Sequence, residues 1–87
     1  MAYRPPDGIK RPAVEEHRLN EALALCFSGE AGAAALAYLR AVTIESVGGP
    51  GIRPDHLMHL EGQRFIVGLI EQRIRYGKDK QPEIPNG

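Results

Sequence analysis

Hydrophobic residues recur at helical spacing in three stretches of the chain, separated by breaks rich in glycine and proline. The first stretch predicts a helix over about residues 12–27, because Pro12 suits a first helical turn and apolar residues then follow every three or four positions. The side chains expected to face inward are Leu19, Leu23, Cys26 and Phe27.

The second stretch predicts a helix over about residues 29–46. Its alanines form a thin surface that another backbone can approach. The inward stripe is expected to contain Gly32, Ala35, Leu36, Leu39, Val42 and Thr43. Residues 46–55 are dense in helix breakers and predict a loop.

The third stretch predicts a helix that starts at Pro54 and ends near Tyr76, with Gly77 as a left-handed cap. Its inward stripe is expected to contain Met58, Phe65, Ile66, Leu69, Ile70 and Ile74. The fold class predicted from these patterns is all-α, a small three-helix domain over residues 12–77.

Residues 1–11 and 78–87 are rich in proline, glycine and charge, and predict extended N- and C-terminal arms on either side of the domain. Their few apolar side chains cannot offset a backbone ordering cost of about 1–2 kcal/mol per residue. We therefore expect the arms to become ordered on a neighbouring subunit, with Tyr3 and Ile84 as the partner-binding anchors.

Two glycines and an ion pair stand out in the third helix. Gly62 lies on the predicted apolar stripe and is expected to admit the alanine-rich second helix, whereas Gly68 lies off it and is expected to mark an intermolecular contact. Glu61 and Arg64 are three residues apart and can pair. They form either a surface ion pair or a contact that holds the first turn or the glycine-rich loop in place.

Composition excludes several function classes. The 87 residues have a formal net charge of zero, which is unlike a nucleic-acid coat, and contain no 18-residue apolar run that would span a membrane. Cys26 is the single cysteine, so no intrachain disulfide can form. His56 and His59 lack the third and fourth ligands that zinc requires. We expect no metal, no cofactor and no enzymatic activity.

Two elements of the chain resemble a small family of tailed-phage proteins typified by one from a Bordetella phage. The first is the segment C-F-S-G-E-A-G-A-A-A-L-A-Y-L, and the second is an E-G-x-R element that enters an apolar helix. The residues that carry the resemblance are Phe27, Ser28, Gly32, Leu36, Leu39, Glu61, Gly62, Arg64 and the run 65–70. It covers roughly residues 19–75. The family occurs among virion and head-assembly genes, which implies a structural protein of the virion and not an enzyme.

Two functions from different classes are therefore expected. The first is a virion structural or assembly protein that binds a capsid, portal or tail-junction partner through its helices and arms, is made in the host cytoplasm and forms homo-oligomers or part of a larger assembly. The second is a small nucleic-acid-binding or regulatory module that places Arg73, Arg75, Lys78 and Lys80 on phosphates. Zero net charge weighs against the second function.

Overall fold

The computed structural model describes residues 3–85, and within that range the chain is all-α with three helices and no strand. The helices are α1 (Ala13–Cys26), α2 (Gly29–Ala41) and α3 (Pro54–Lys78). The predicted fold class is confirmed. The outermost residues of the two predicted arms, 1–2 and 86–87, lie outside the described range.

Local sequence explains where α1 begins and where the chain turns into α2. The Pro12 carbonyl accepts hydrogen bonds from the backbone N–H groups of Glu15 and Glu16, at 3.0 and 3.1 Å. Gly29 takes a φ of +75°, a value that glycine adopts without steric cost. A Cβ at Gly32 would lie 2.7 Å from the Phe27 Cα, so only glycine fits inside this turn. The chain bends by 98° between α1 and α2.

The core lies where α1 packs against α3. Its buried apolar side chains are small in number: Ala13, Ala24, Leu60, Val67 and Ile74. Gly77 allows the closest approach of the two helices, because a Cβ there would meet the Ala24 Cβ at 2.7 Å and the backbone of Asn20 closer still. The predicted left-handed cap at Gly77 is wrong, since α3 continues through it to Lys78.

The predicted inward faces of α1 and α3 are partly wrong. In α1 the buried stripe contains Ala13, Glu16, Asn20 and Ala24, whereas Cys26 is exposed and Leu19, Leu23 and Phe27 are half-buried. In α3 the buried residues are Leu60, Val67, Arg73 and Ile74, whereas Met58, Phe65 and Ile66 are exposed. The buried side of each helix therefore includes polar side chains, and these pair with one another in the interior.

The second helix is shorter than predicted and packs little against the rest of the chain. It ends at Ala41, and residues 42–45 form turns instead of continuing the helix. None of its residues is buried, and of the predicted stripe only Thr43, beyond its end, is buried. The described chain measures 47 × 31 × 17 Å, an elongated and flat shape in which α2 packs against α3 much less than α1 does.

Candidate docking site

The N-terminal arm is held by side chains of its own chain. The Tyr3 hydroxyl donates a 2.6 Å hydrogen bond to Glu16, and Asp7 accepts from both Arg11 and Arg73, at 2.8 and 3.2 Å. These contacts tie the arm to α1 and α3. The expectation that only a neighbouring subunit would order this arm is wrong for its described residues, because polar contacts replace the apolar burial that it lacks.

The C-terminal arm packs back on α1 in a similar way. The Asn20 side-chain amide donates to Gln81 at 2.9 Å, and the Gln81 amide donates to the His17 carbonyl at 3.0 Å. The His17 imidazole lies 2.9 Å from the Pro82 carbonyl oxygen. Both arms therefore converge on the same side of α1, and the expectation that a neighbour orders this arm is also wrong up to residue 85.

Where the N-terminal arm meets α1 and α3 lies a cluster of two cations and two anions, of which Arg73 and Glu16 are buried and Arg11 and Asp7 half-buried. The Arg73 guanidinium contacts the Glu16 carboxylate at 3.1 Å and the Asn20 side-chain oxygen at 3.0 Å. Arg11 reaches the same Glu16 carboxylate at 3.2 Å and also binds Asp7. Glu16 and Asn20 are among the most deeply buried side chains of the described chain. Their charges and hydrogen bonds are matched within the cluster, as burial requires.

The cluster shifts the pKa values of its members in consistent directions. The hydrogen bond from Arg11 holds the pKa of Asp7 well below its usual range, although burial opposes the shift. Burial alone would raise the pKa of Glu16, but the hydrogen bonds from Tyr3 and Arg73 outweigh it and lower the pKa. Burial, together with the hydrogen bond to Glu16, raises the pKa of Tyr3. Both carboxylates are thus ionised at neutral pH.

Tyr3 and Ile84, the two predicted partner-binding anchors, lie close to each other in the structure. Both line the two clefts between the arms, of which the larger has a volume of about 610 Å³. The centre of the Tyr3 ring also lies 6.3 Å from the centre of the Tyr76 ring, and the Tyr3 hydroxyl donates a hydrogen bond to Glu16. Tyr3 therefore anchors its own arm. Ile84 is half-buried beside it.

Arg64 connects α3 to the end of α2. Its guanidinium donates to the Thr43 carbonyl at 3.1 Å and to the Ser46 carbonyl, both of which follow the last turn of α2. Glu61 pairs with Arg64 from the previous turn of α3. The ion pair predicted from the sequence thus lies beside the start of the glycine-rich loop. A second pair, between Arg40 and Glu71, fastens the last turn of α2 to α3.

The structure does not place Gly62 or Gly68 at a contact between helices. A Cβ built at either position meets no atom within 4 Å. The predicted close approach of α2 at Gly62 is therefore wrong, and the close approach occurs between α1 and α3 at Gly77 instead. The sequence contained a signal for this, since Gly77 follows Ile74, a residue of the predicted inward stripe, by three positions and so lies on the same side of α3.

The surface of α2 is apolar in composition and exposed over most of its length. We call the helix Gly29–Ala41 with its exposed side chains the α2 surface. Its only charged residues are Glu30 and Arg40, and every other residue is glycine, alanine, leucine or tyrosine. Tyr38 is 67% exposed in its last turn, Leu25 is exposed in the last turn of α1, and Val42 is exposed just after α2. The α2 surface is the candidate docking site.

Three buried residues of the cluster were missed or misassigned by the sequence patterns. Glu16 and Asn20 were not on the predicted inward stripe, although their spacing of four residues places them on one side of α1. Arg73 was a candidate phosphate contact, which is wrong because its side chain is buried and bound to Glu16, Asn20 and Asp7.

The described residues contain no group of three or more His, Cys, Asp or Glu side chains that could hold a metal ion. Over the same range, no single helix has the length and apolar character to cross a membrane. One pair of helices, α1 with α2, meets those criteria only when the two are taken together across their 98° bend.

The fold and the α2 surface define a small all-α protein in which the second helix has no buried residue. Residues 23–83 match the family model described as Bbp19-like phage protein. The match spans more than half of the chain, so the chain belongs to the Bbp19-like phage protein family. No curated protein and no solved structure matches the chain at a significant level.

Proposed function

We propose that the protein is a structural or assembly protein of a phage particle and acts by binding, without catalysing a reaction. The partner is a protein of the particle at the capsid, the portal or the tail junction, and the protein is made in the host cytoplasm before it enters the virion. Membership of a phage protein family supports this context. The α2 surface supports binding as the mode of action.

The observation that carries the proposal is that α2 is apolar on all sides and has no buried residue. Helices that are apolar all round are normally covered by other protein or by lipid. An isolated helix of fewer than about 12–15 residues is only marginally stable in water. With 13 residues, α2 falls in this range. It pairs with α3 through Arg40 and Glu71, and its larger apolar side chains Leu36 and Leu39 are only half-buried. A groove on the partner would supply the missing apolar contacts, as in other helix-in-groove complexes.

A protein partner is favoured over nucleic acid for two reasons. The formal net charge is zero, and Arg73 is neutralised inside the chain, which leaves Arg75, Lys78 and Lys80 as the exposed cations of that segment. The apolar α2 surface offers no cations to phosphates apart from Arg40, which is paired with Glu45 and Glu71.

The test uses a phage that encodes this chain and purified particles. Full-length protein should co-purify with particles, and Tyr38→Glu should reduce its incorporation at least tenfold, because a buried unpaired carboxylate is costly. Val14→Glu is the matched control, since Val14 is also an exposed apolar helical residue but lies in α1. Absence of the wild-type protein from particles overturns the virion role. Equal incorporation of both variants overturns the role of α2.

A further inference from the structure

A second apolar stripe lies on the outside of α3, away from the core. Met58, Gly62, Phe65 and Leu69 follow one another at spacings of four, three and four residues. This is the repeat with which one helix packs along another. We call these four residues the outer seam. Met58 and Phe65 are exposed, at 75% and 59%, Leu69 is half-buried, and Ile66 lies exposed beside them.

The outer seam is distinct from the side of α3 that its own chain covers. The buried residues Leu60, Val67 and Ile74 recur every seven positions and form the inner stripe against the rest of the fold. Met58 and Phe65 also recur at an interval of seven, displaced from that stripe around the helix. The described chain covers the inner stripe, whereas Met58 and Phe65 remain exposed, so the outer seam is open to a further packing partner.

The chain exposes more surface than a compact monomer of its mass does, and the excess is large enough to form an interface. Its accessible surface is 6317 Å². A compact monomer of this mass exposes about 5,000 Å². The excess of roughly 1,300 Å² exceeds the share of about 800 Å² that one partner contributes to a standard interface. The radius of gyration of 15.2 Å also exceeds the value of about 12 Å expected for a compact chain of this length.

The outer seam is complementary to itself. Met58 lies four residues before Gly62, and Ile66 lies four residues after it, with Phe65 adjacent. A two-fold axis through Gly62 would place Met58 of each copy against Phe65 and Ile66 of the other, a favourable sulfur–aromatic arrangement. The seam itself contains no charged residue, and the chain has no net charge that would repel a second copy. The open space at Gly62 lets the two backbones approach closely.

We propose that the outer seam binds the outer seam of a second copy of this chain, with the two α3 helices antiparallel and crossing at Gly62. This interface is separate from the α2 surface, so the dimer carries two α2 surfaces. It also explains why glycine, a poor helix former, stands in the middle of a long helix although no atom of the described chain lies within 4 Å of the position of its missing Cβ.

The test measures the molecular mass of the full chain in solution by analytical ultracentrifugation, at protein concentrations between about 1 and 200 µM. Interfaces of standard size form in this range of concentration. The wild type should be a dimer, and Phe65→Glu should weaken dimerisation at least tenfold without loss of helical circular dichroism. Tyr38→Glu is the matched control and should dimerise like the wild type, since Tyr38 lies on the α2 surface.

A cross-link reports the geometry independently. In a Cys26→Ser background, Gly62→Cys should form an intermolecular disulfide on mild oxidation, because the two positions 62 meet at the axis. Gln63→Cys, the next residue around the helix, should not. A monomer at 200 µM, or a dimer that resists Phe65→Glu and forms no disulfide at position 62, overturns the proposal. A third outcome is a wild-type monomer whose Phe65→Glu variant fails to enter particles. This result would overturn the dimer and indicate that the outer seam binds a helix of another phage protein. The proposed function would stand.

Discussion

Gly77 of α3 lies directly against Asn20 of α1, and a Cβ at position 77 would come within 2.8 Å of the Asn20 carbonyl carbon. The contact is with backbone, which cannot move aside as a flexible side chain can. Gly77 therefore sets the distance between the two helices that form the core. It also sits one turn beyond Arg73, so it helps to bring Arg73 within reach of Glu16 and Asn20.

Gly77→Ala should consequently destabilise the protein relative to Gly68→Ala. Overpacking at a tight contact costs about 1–3 kcal/mol. At Gly68 there is open space, and alanine should instead stabilise the helix by up to about 1 kcal/mol. Urea unfolding of both variants, at a concentration where the chain is monomeric, measures the difference. Equal free energies of unfolding for the two variants would show that the helices can separate at Gly77 without cost.

Arg64→Met should loosen the end of α2. The change keeps an unbranched apolar stem but removes the guanidinium and with it the hydrogen bonds to the Thr43 and Ser46 carbonyls. Hydrogen bonds from a charged donor contribute about 1.5–3 kcal/mol, so the free energy of unfolding should fall by roughly that amount. Amide hydrogen exchange in α2 should accelerate more than exchange in α1.

The matched control for Arg64 is Arg53→Met, because Arg53 is exposed and pairs only with exposed Asp55 in the described chain. Its effect should stay within about 0.5 kcal/mol. Glu61→Gln should also cost under about 1 kcal/mol, since the Glu61 carboxylate is mostly exposed to solvent. A loss at Glu61 as large as that at Arg64 would mean that the ion pair, and not the bonds to the loop carbonyls, stabilises this region.

Gln81→Ala should destabilise the isolated protein although it lies in the C-terminal arm. The substitution removes the partner of the Asn20 amide and of the His17 carbonyl. A buried polar group left without a partner costs about 1–3 kcal/mol. The melting temperature should therefore fall, whereas Glu83→Ala, at an exposed position of the same arm, should leave it unchanged. If both variants melt like the wild type, the arm does not contribute to the stability of the fold.

Acid should destabilise the protein through Asp7 and Glu16. Their pKa values are lowered in the folded state, so the unfolded chain takes up protons first as the pH falls. The stability that the two carboxylates contribute to the folded state is complete above about pH 5. It is lost progressively below about pH 4, as the pH falls towards and past their lowered pKa values in the folded state. The free energy of unfolding, measured by urea titration from pH 7 to pH 2.5, should follow this course.

Asp7→Asn is the informative variant for the pH dependence. It should be less stable than the wild type at pH 7 and should lose less stability on acidification, because one of the two shifted carboxyl groups is gone. Glu83→Gln, at an exposed position, should reproduce the wild-type curve. Parallel curves for Asp7→Asn and the wild type would show that Asp7 contributes nothing to the acid sensitivity.

The sequence by itself determined the helices and the class of fold. Pro12 and Pro54 mark where α1 and α3 begin, and the glycine-rich segment 46–53 separates α2 from α3. These features are local, because helix initiation and termination depend on residues within one or two turns. The family was also visible locally, in the segment that begins α2 and in the E-G-x-R element of α3.

Only the tertiary structure decided which side of each helix is buried and how the arms are held. The apolar pattern pointed to Leu23 and Cys26 in α1, whereas Glu16 and Asn20 occupy the interior. Burial of these polar side chains depends on Arg73, which lies more than 50 residues away along the chain. A local apolar pattern carries no information about such a partner, because the free energy of burying a charge is set by the groups that meet it after folding.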